Sequence, residues 1–469
     1  MSGADTDPLR LVVVGGGFTG AVLAIHAIRA ATRALDIVVL EPRAELGLGI
    51  AFGTTDPSHR MNVPSDRMDI AKAEPGAATA WFRGQGILPD PASEDGTGRA
   101  YVPRLAYGAY IRDVLAETLA AAKGGVRLRH LRTTATAVRP AGDLWHVACD
   151  TGDVIEADRV ALCFGHAAPA LPCPLGPGVT ASRGFVPDPW APRALAAIEP
   201  DAAVLVVGTG LTMADVVTSL IAAGHRGPIT AVSRRALLPK AHGLFLKTLD
   251  VVGGTPPRTA LGLLRLVRRQ VRAIDPALGW HPVIDSLRAV LPDVWNGLPA
   301  AERVRIVRRL LPFWEVHRFR IAPQVAATLA RARAAGQLSI ARAAVTGLAR
   351  DEDGRLRATL QPPGGAAEQR RFDAVVLCTG PERDVSANPL VSALLVAGTA
   401  RLDEAKLGLA VDRASRVVGP AGEVRPGLAA FGPMTRGSFG EMTGAPDIAL
   451  HIEAVVAGFL DGRSEGLPP

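Results

Sequence analysis

The chain has 469 residues, of which 48% are hydrophobic and 21% are charged. At roughly 100–200 residues per domain this length predicts two or three domains, and the apolar fraction excludes a mainly disordered chain. Lys and Arg number 52 against 45 Asp and Glu, which gives a formal net charge of +7 spread along the chain. Such a charge suits small anionic ligands as well as nucleic acid, and we expect no nucleic-acid partner.

The four cysteines and the apolar segments exclude several protein classes. Four cysteines are too few for a disulfide scaffold, and none of them forms a C-x-x-C pair. The first ten residues are acidic, and no stretch reaches the ~18 uncharged apolar residues that cross a bilayer. No histidine or cysteine pair has the spacing of a metal site. We expect a cytoplasmic protein with buried, reduced cysteines, no metal and no membrane span.

A strand, a glycine turn and a helix open the chain. LRLVVV (9–14) predicts a buried strand, GGGFTG (15–20) follows it directly, and AVLAIHAIRAATRA (21–34) has a helical pattern. DIVVLE (36–41) predicts a second strand, which ends at Glu41. This order is typical of a βαβ unit that binds a dinucleotide, and the terminal carboxylate suits a ribose diol.

The glycine spacing agrees with that unit. Gly15, Gly17 and Gly20 form G-x-G-x-x-G, in which the first glycine makes the turn and the second lets the backbone approach a pyrophosphate. The third packs the helix against the strand. Phe18 and Thr19 complete the turn. The free N–H groups of the helix N-terminus can then bind phosphate oxygens.

The same order of elements recurs near residue 200. DAAVLVVG (201–208) predicts a strand, GTGLTMAD (208–215) a glycine turn before a helix that ends near Ala223, and PITAVSRR (228–235) the next strand. Met213 stands at the third glycine position, which predicts a slightly wider spacing between helix and strand.

Equivalent strand ends carry opposite charges in the two units. Twenty-six residues separate Gly15 from Glu41, and the same number separates Gly208 from Arg234. An acid at this place suits a free ribose hydroxyl, as in FAD, whereas an arginine pairs with the 2′-phosphate of NADPH. The alternative is a solvated strand end. The predicted NADPH-binding residues are Gly208, Gly210, Leu211, Thr212, Ser233, Arg234 and Arg235.

Both units continue with similar segments. Alternating, turn-punctuated stretches (126–158 and 338–373) lead to apolar strands that end in glycine, RVALCFG (159–165) and AVVLCTG (374–380). The fold class we predict is α/β, with two Rossmann-like dinucleotide-binding domains, each with a β-meander, plus a helical insertion. The predicted domains are residues 1–170 with 378–469 for FAD, and 171–377 for NAD(P)H with the insertion at about 256–330.

Several blocks together resemble the bacterial FAD/NAD(P)-binding oxidoreductase family, which is akin to flavin-dependent N-hydroxylating monooxygenases. The resemblance covers essentially the whole chain. It rests on residues 47–68, 206–215, 224–242, 312–323, 376–381 and 431–448.

The resemblance implies FAD in the first site and reduced nicotinamide in the second. It suggests that Asn62 hydrogen-bonds a flavin edge and that Arg67 holds pyrophosphate or polarises an oxygen. In this family an aromatic residue commonly precedes the position of Glu441, where this chain has Gly440. The predicted FAD-binding residues are Gly15, Gly17, Phe18, Thr19, Gly20, Glu41, Asn62, Gly380, Gly432 and Glu441.

The C-terminal block and the insertion offer weaker candidates. The block predicts a strand ending at Phe431 and a helix with Pro446 in its first turn, whose dipole would stabilise reduced flavin. Candidate catalytic residues are Arg67, His242 and His317, with His59 and His166 ranking lower. The basic, amphipathic segments 261–274 and 301–311 predict helices with a solvated face, and the alternative is a membrane-surface role.

The sequence therefore predicts an FAD-dependent oxidoreductase reduced by NADPH. The kinship with N-hydroxylases favours a monooxygenase that uses dioxygen on a small molecule. One alternative is a reductase that passes electrons to a quinone or a protein partner. Another is an FAD-binding redox sensor without turnover.

Overall fold

The computed structural model of the protein describes residues 7–94, 98–165, 169–243, 248–382 and 384–462. The strands are β1 (Leu9–Val14), β2 (Leu35–Leu40), β3 (Val126–Leu131), β4 (Ala135–Ala141), β5 (Leu144–Cys149), β6 (Val154–Ala157), β7 (Arg159–Leu162), β8 (Phe185–Val186), β9 (Val204–Val207), β10 (Ile229–Ser233), β11 (Leu338–Arg342), β12 (Ala344–Arg350), β13 (Leu356–Gln361), β14 (Glu368–Phe372), β15 (Ala374–Leu377), β16 (Arg416–Val418) and β17 (Val424–Ala430).

The helices alternate with the strands in each unit and follow one another between β10 and β11. They are α1 (Phe18–Ala30), α2 (Gly49–Phe52), α3 (Ala77–Gly84), α4 (Arg104–Ala120), α5 (Leu211–Ala222), α6 (Ala260–Ala273), α7 (His281–Ala289), α8 (Leu291–Asn296), α9 (Ala300–Arg309), α10 (Leu311–Arg318), α11 (Pro323–Ala334), α12 (Pro389–Val396), α13 (Arg436–Phe439) and α14 (Ala445–Asp461).

Two mainly parallel sheets confirm the predicted α/β class. The first has the order β16-β17-β7-β1-β2-β3, and the second has the order β11-β10-β9-β15-β8. The C-terminal strand β17 pairs in parallel with β7, so the chain returns to the first sheet after it completes the second. Because helices cover both faces of such sheets, their central strands are continuous apolar runs. The domain boundaries themselves remain predictions.

The two units repeat one another at the level of backbone hydrogen bonds. The N–H of Gly15 donates to the carbonyl of Leu40 at 2.9 Å, and the N–H of Gly208 donates to the carbonyl of Val232 at 2.8 Å. Each bond joins the first glycine of a turn to the end of the neighbouring parallel strand. The glycine turns therefore stand at the carboxyl edge of each sheet, where open α/β sheets bind ligands.

The two segments predicted as β-meanders (126–158 and 338–373) each begin with a strand that does not belong to the meander. β4 to β6 and β12 to β14 form three-stranded antiparallel sheets, but β3 and β11 join the parallel sheets as edge strands. An alternating pattern fits both cases, because an edge strand of a parallel sheet is also half-exposed.

The region without strand pattern is helical, as expected. Helices α6 to α10 form a cluster of their own around apolar residues such as Val283 and Val294, whereas α11 packs on α5 within the core of the second unit. All four cysteines are buried in apolar surroundings. No helix in the described parts of the chain is both long and apolar enough to cross a bilayer.

Candidate functional site

The first glycine turn is shaped to bring backbone close to a ligand. Gly15 has φ +96°, which favours glycine, and Gly17 is the N-cap of α1. No side chain caps α1, so Phe18 and Thr19 in its first turn have N–H groups available to a phosphate. A Cβ on Gly20 would lie 1.9 Å from the carbonyl oxygen of Gly15, which is why the helix can sit this close to the turn.

Glu41 stands at the end of β2 beside this turn. Its side chain is 5% exposed, and one carboxylate oxygen accepts a hydrogen bond from the N–H of Gly16 at 3.0 Å. The other oxygen accepts from the N–H and the guanidinium of Arg43 at 3.0 and 3.2 Å. Since each carboxylate oxygen can accept two hydrogen bonds, the first oxygen retains one free position for a ribose hydroxyl.

Replacing Glu41 with alanine is expected to weaken FAD binding about tenfold to a hundredfold, because a charge-assisted hydrogen bond is lost. FAD titration of the flavin-free protein, followed by fluorescence, measures this change. The matched control is Asp36→Ala, which removes a carboxylate from the other end of the same strand, where it pairs with Arg129. Equal FAD affinity in Glu41→Ala and the wild type would exclude Glu41 as a ribose ligand.

The C-terminal block lies against the first glycine turn. Gly432, with φ +76°, lies two residues after the end of β17, and a Cβ there would lie 2.7 Å from Oγ1 of Thr19. The short 3-10 helix Gly432–Thr435 and α13 then lead to α14, whose first turn contains Pro446 as predicted. Residues that are more than 400 positions apart thus form one binding surface. We call it the first cradle (Gly15 to Gly20, Glu41 and Gly432), and the corresponding surface around the second glycine turn and the end of β10 the second cradle.

The second glycine turn repeats these features with one difference. Gly208 has φ +120°, and a Cβ on it would lie 2.0 Å from the carbonyl oxygen of Cys378. Gly210 is the N-cap of α5, which has no side-chain cap, so the N–H groups of Leu211 and Thr212 are also available. Met213 is fully buried in the core of the second unit, so α5 leaves room for a side chain at this position.

Three arginines cluster at the carboxyl end of the second sheet. Arg234 and Arg235 are exposed directly after β10, and Arg342 at the end of the neighbouring strand β11 pairs in register with Ser233. Nε of Arg342 donates to the carbonyl of Arg234 at 3.4 Å. None of the three forms an ion pair with an acidic residue in the part of the chain that the structure describes. Arg342 was missed in the sequence because it lies on a different strand without a motif.

The hydroxyl of Ser233 already has hydrogen-bond partners within the protein. It accepts from the N–H of Ala236 at 2.9 Å and lies 2.8 Å from Oγ1 of Thr209, whose own proton goes to the carbonyl of Leu237 at 2.6 Å. Ser233 therefore fixes the turn between Gly208 and Gly210 relative to the strand end, rather than presenting a free hydroxyl.

Gly380 follows a strand of the second sheet. Its strand β15 pairs with β9 in the second sheet, so Gly380 lies at the carboxyl edge that carries the second glycine turn. The sequence reasoning assigned it to FAD because the motif resembles the family. Its contact with FAD stays a prediction.

Side chains from the first unit meet the second along α5 and the loop after β10. Nε2 of His242 lies 2.8 Å from the carbonyl oxygen of Asn62, and its ring lies 5.1 Å from that of Tyr101. Arg104 at the start of α4 pairs with the buried Asp215 of α5 at 2.8 Å. His242 is therefore a junction residue between the units, next to the loop that was predicted to contact the flavin.

Burial lowers the pKa of His242 from 6.5 to about 4. The folded protein thus favours the neutral ring of His242. The contribution of this residue to the free energy of unfolding is fully present above pH 6.5 and decreases as the pH falls toward 4. The loss expected from this group is on the order of 3 kcal/mol. Urea unfolding of wild type and His242→Gln between pH 7 and 4 checks it, because glutamine retains a donor for Asn62 but does not titrate. Identical slopes in both proteins would contradict the assignment.

A buried ion cluster joins the insertion to the C-terminal block. The guanidinium of Arg318, at the end of α10, pairs with Glu441 and lies 3.2 Å from Asp447 in the first turn of α14. Arg288 of α7 pairs with Asp447 and lies 3.8 Å from Glu441. The side chains of Arg318 and Glu441 are 7% and 9% exposed. Glu441 therefore anchors the insertion at the block that was predicted to face the flavin.

The aromatic residue expected before Glu441 is supplied by another element. Gly440 has φ +77°, and a Cβ on it would lie 2.8 Å from the side chain of Trp295 in α8. Nε1 of Trp295 donates to the carbonyl of Gly437 at 2.7 Å. Sequence inspection could not find this contact, because an isolated tryptophan in a helical region is usually a core residue.

The remaining weak candidates fall in different places. Arg67 is exposed at the end of a short 3-10 helix (Ser65–Arg67), and Asp285 and Arg288 of α7 are among the charges near it. Nδ1 of His317 donates to the carbonyl of Phe313 at 2.7 Å, and the His317 ring borders a cavity within the insertion. His59 lies 2.9 Å from Oγ of Ser219 at the junction between the units. His166 lies outside the described residues.

The residues of both cradles fit dinucleotides. Each cradle combines a glycine with positive φ, an uncapped helix N-terminus and a polar or charged strand end. Residues 12–167 match the family model described as FAD-NAD(P)-binding. This match confirms the predicted resemblance for the first unit. The FAD predicted for that unit agrees with the description of the family model. No curated protein matches the chain.

Solved structures share the fold over nearly the whole chain. An ornithine N-hydroxylase from Kutzneria sp. 744 is 18% identical, with 96% of this chain and 99% of that chain covered and a TM-score of 0.64. A cadaverine monooxygenase from Erwinia amylovora, bound to FAD, is 15% identical, with 98% of each chain covered and a TM-score of 0.64. A thioredoxin reductase from Lactococcus lactis is 11% identical, with 97% and 99% covered and a TM-score of 0.53. These similarities show that the chain shares the fold of these proteins over nearly its whole length.

Proposed function

We propose that the protein is an FAD-dependent monooxygenase that NADPH reduces and that oxidises a small organic molecule with dioxygen. The observation that carries the proposal is the opposite charge at equivalent strand ends of two repeated cradles. Glu41 offers a carboxylate to a ribose diol in the first cradle, and Arg234 with its neighbours offers guanidinium groups to a 2′-phosphate in the second.

The roles of the chain's own residues follow from their positions. The N–H groups at the starts of α1 and α5 would bind the two pyrophosphates, and Gly432 brings the C-terminal block over the first turn. When bound, FAD and NADPH supply the redox chemistry, while the protein supplies position, electrostatics and exclusion of water. In the overall reaction one oxygen atom enters the substrate and the other leaves as water, with two electrons from NADPH.

The cysteines favour this proposal over dithiol chemistry. Cys163 and Cys378 lie at the ends of β7 and β15, and burial raises the pKa of both thiols above the ordinary value. A neutral, buried thiol is a poor nucleophile. The activity of the thioredoxin reductase that shares the fold is therefore not the one we favour. The ornithine N-hydroxylase and the cadaverine monooxygenase support a monooxygenase.

One experiment separates the proposal from its rivals. The purified protein should be yellow, NADPH should bleach its flavin absorbance without air, and NADPH consumption in air should yield an oxygenated product. Anaerobic reduction of a quinone at a rate that matches NADPH consumption would indicate a reductase. A flavin that NADPH does not bleach would indicate a sensor. A colourless protein that FAD does not reconstitute would exclude all three.

A further inference from the structure

The helical insertion encloses an apolar cavity of about 490 Å³. Helices α6 to α10 surround it, and leucine, valine and isoleucine side chains make up most of its wall. The rings of Trp280, Trp295 and Trp314 also line it. Cavities of this size and character are typical of sites for small organic ligands, and water gains little by filling them.

The inner end of the cavity reaches the C-terminal block. Gly440 and Leu407 are part of its wall, and the side chain of Trp295 lies directly against Gly440. Gly440 precedes Glu441, which is one of the residues proposed to lie near FAD. The cavity thus borders the C-terminal block, which contacts the first glycine turn through Gly432.

The polar side chains of the wall are all basic. Arg268 and Arg272 lie one turn apart on α6 and are exposed, and His317 stands beside Trp280 at a ring distance of 4.7 Å. Neither arginine forms an ion pair with an acidic residue of the described chain, and no carboxylate lines the cavity among those residues. A substrate ammonium would find no carboxylate in the described wall, whereas a substrate carboxylate would find two guanidinium groups.

We infer that this cavity is the substrate pocket and that it takes an apolar carboxylate. The apolar body lies among the tryptophans and leucines, and the carboxylate pairs with Arg268 and Arg272 at the mouth. The oxidisable group, an electron-rich ring or a thioether, lies at the inner end near Gly440. This inference rests on the proposed function and names its substrate class.

The probe for the test is ω-(phenylthio)hexanoate, with the corresponding alcohol and amine as uncharged and cationic analogues. Binding is followed by quenching of tryptophan fluorescence, because three tryptophans line the cavity. Turnover is followed by NADPH oxidation and by the sulfoxide. In that reaction the sulfur gains one oxygen atom from dioxygen, NADPH loses two electrons, and the second oxygen atom leaves as water. We expect the acid to bind most tightly, the amine most weakly, and the acid to accelerate NADPH oxidation.

Two variants locate the site. Arg268→Gln/Arg272→Gln is expected to weaken binding of the acid about tenfold and to change binding of the alcohol less than about twofold. Val267→Phe places a larger side chain in the wall, narrows the cavity, and should weaken acid and alcohol alike. The matched control is Arg308→Gln/Arg309→Gln, which removes two exposed arginines of α9 that do not line the cavity.

The outcomes distinguish this inference from the proposed function. Flavin content and anaerobic bleaching by NADPH test the proposed function without any probe. With both intact, the inference is overturned if the acid does not bind, or if it binds without accelerating NADPH oxidation. It is also overturned if the amine binds as tightly as the acid, or if the α9 control weakens the acid as much as the α6 variant. Retained flavin in Val267→Phe shows that this variant is folded.

Discussion

Arg234→Ala/Arg342→Ala is expected to weaken NADPH binding about a hundredfold and to leave NADH binding almost unchanged. Only NADPH carries the 2′-phosphate, and the two guanidinium groups come from neighbouring parallel strands whose ends lie together. Each charge-assisted contact is worth about 1.5 kcal/mol at the low end of its range, which suits exposed side chains. Stopped-flow reduction of the flavin at increasing NADPH and NADH concentrations measures both affinities.

The control for this variant is Arg331→Ala/Arg333→Ala on α11. It removes the same charge from the second unit, but both side chains are exposed on a helix away from the strand ends. If the control weakens NADPH equally, the effect comes from the general field of the protein rather than from a contact. Equal losses for NADPH and NADH in the first variant would contradict the 2′-phosphate role.

Arg318→Met is expected to lower the free energy of unfolding by about 3–5 kcal/mol. The substitution retains most of the side chain's volume but removes the guanidinium in direct contact with buried Glu441 and its contact with Asp447. Only Arg288, 3.8 Å away, then faces the Glu441 carboxylate. The loss comes from a buried carboxylate that keeps only its more distant cationic neighbour, since a buried pair by itself adds little. Urea unfolding of the flavin-free protein gives the value without interference from FAD.

The double variant Arg318→Met/Glu441→Leu tests whether the stability is lost because Glu441 stays charged and buried or because the ion pair itself is gone. It should recover most of the lost stability, because no buried charge is left unpaired. Arg226→Met breaks an exposed ion pair with Asp201 and should leave the free energy of unfolding almost unchanged, because water and salt screen such pairs. A single variant as stable as wild type, or a double variant less stable than the single one, would show that Arg318 does not act through Glu441.

Local patterns predicted the cradles because their geometry is local. A buried strand, a glycine turn and a helix are contiguous in sequence, and the distance from Gly15 to Glu41 is set by one helix of fixed rise. The repeat of that distance between Gly208 and Arg234 indicated a second cradle of opposite charge. These elements occur in the structure within a few residues of their predicted bounds.

Contacts between distant elements could not be predicted in this way. Arg342 lies 108 residues from Arg234, and Trp295 lies 142 residues from Gly437, so no periodicity relates them. The order of strands in the second sheet brings Arg342 beside Arg234 and places Gly380 at the carboxyl edge of that sheet. For the same reason β3 and β11 were grouped with the meanders, because a half-exposed edge strand has the same alternation.

The amino-acid order alone thus specifies the two dinucleotide units and the charge that each presents to its ligand, because these properties depend on residues close together in the chain. Strand order and helix packing specify the rest: the third arginine, the anchor between Arg318 and Glu441, and the apolar cavity that ends at Gly440. Side chains from separate segments form these features, and only packing of the complete chain brings them within contact distance.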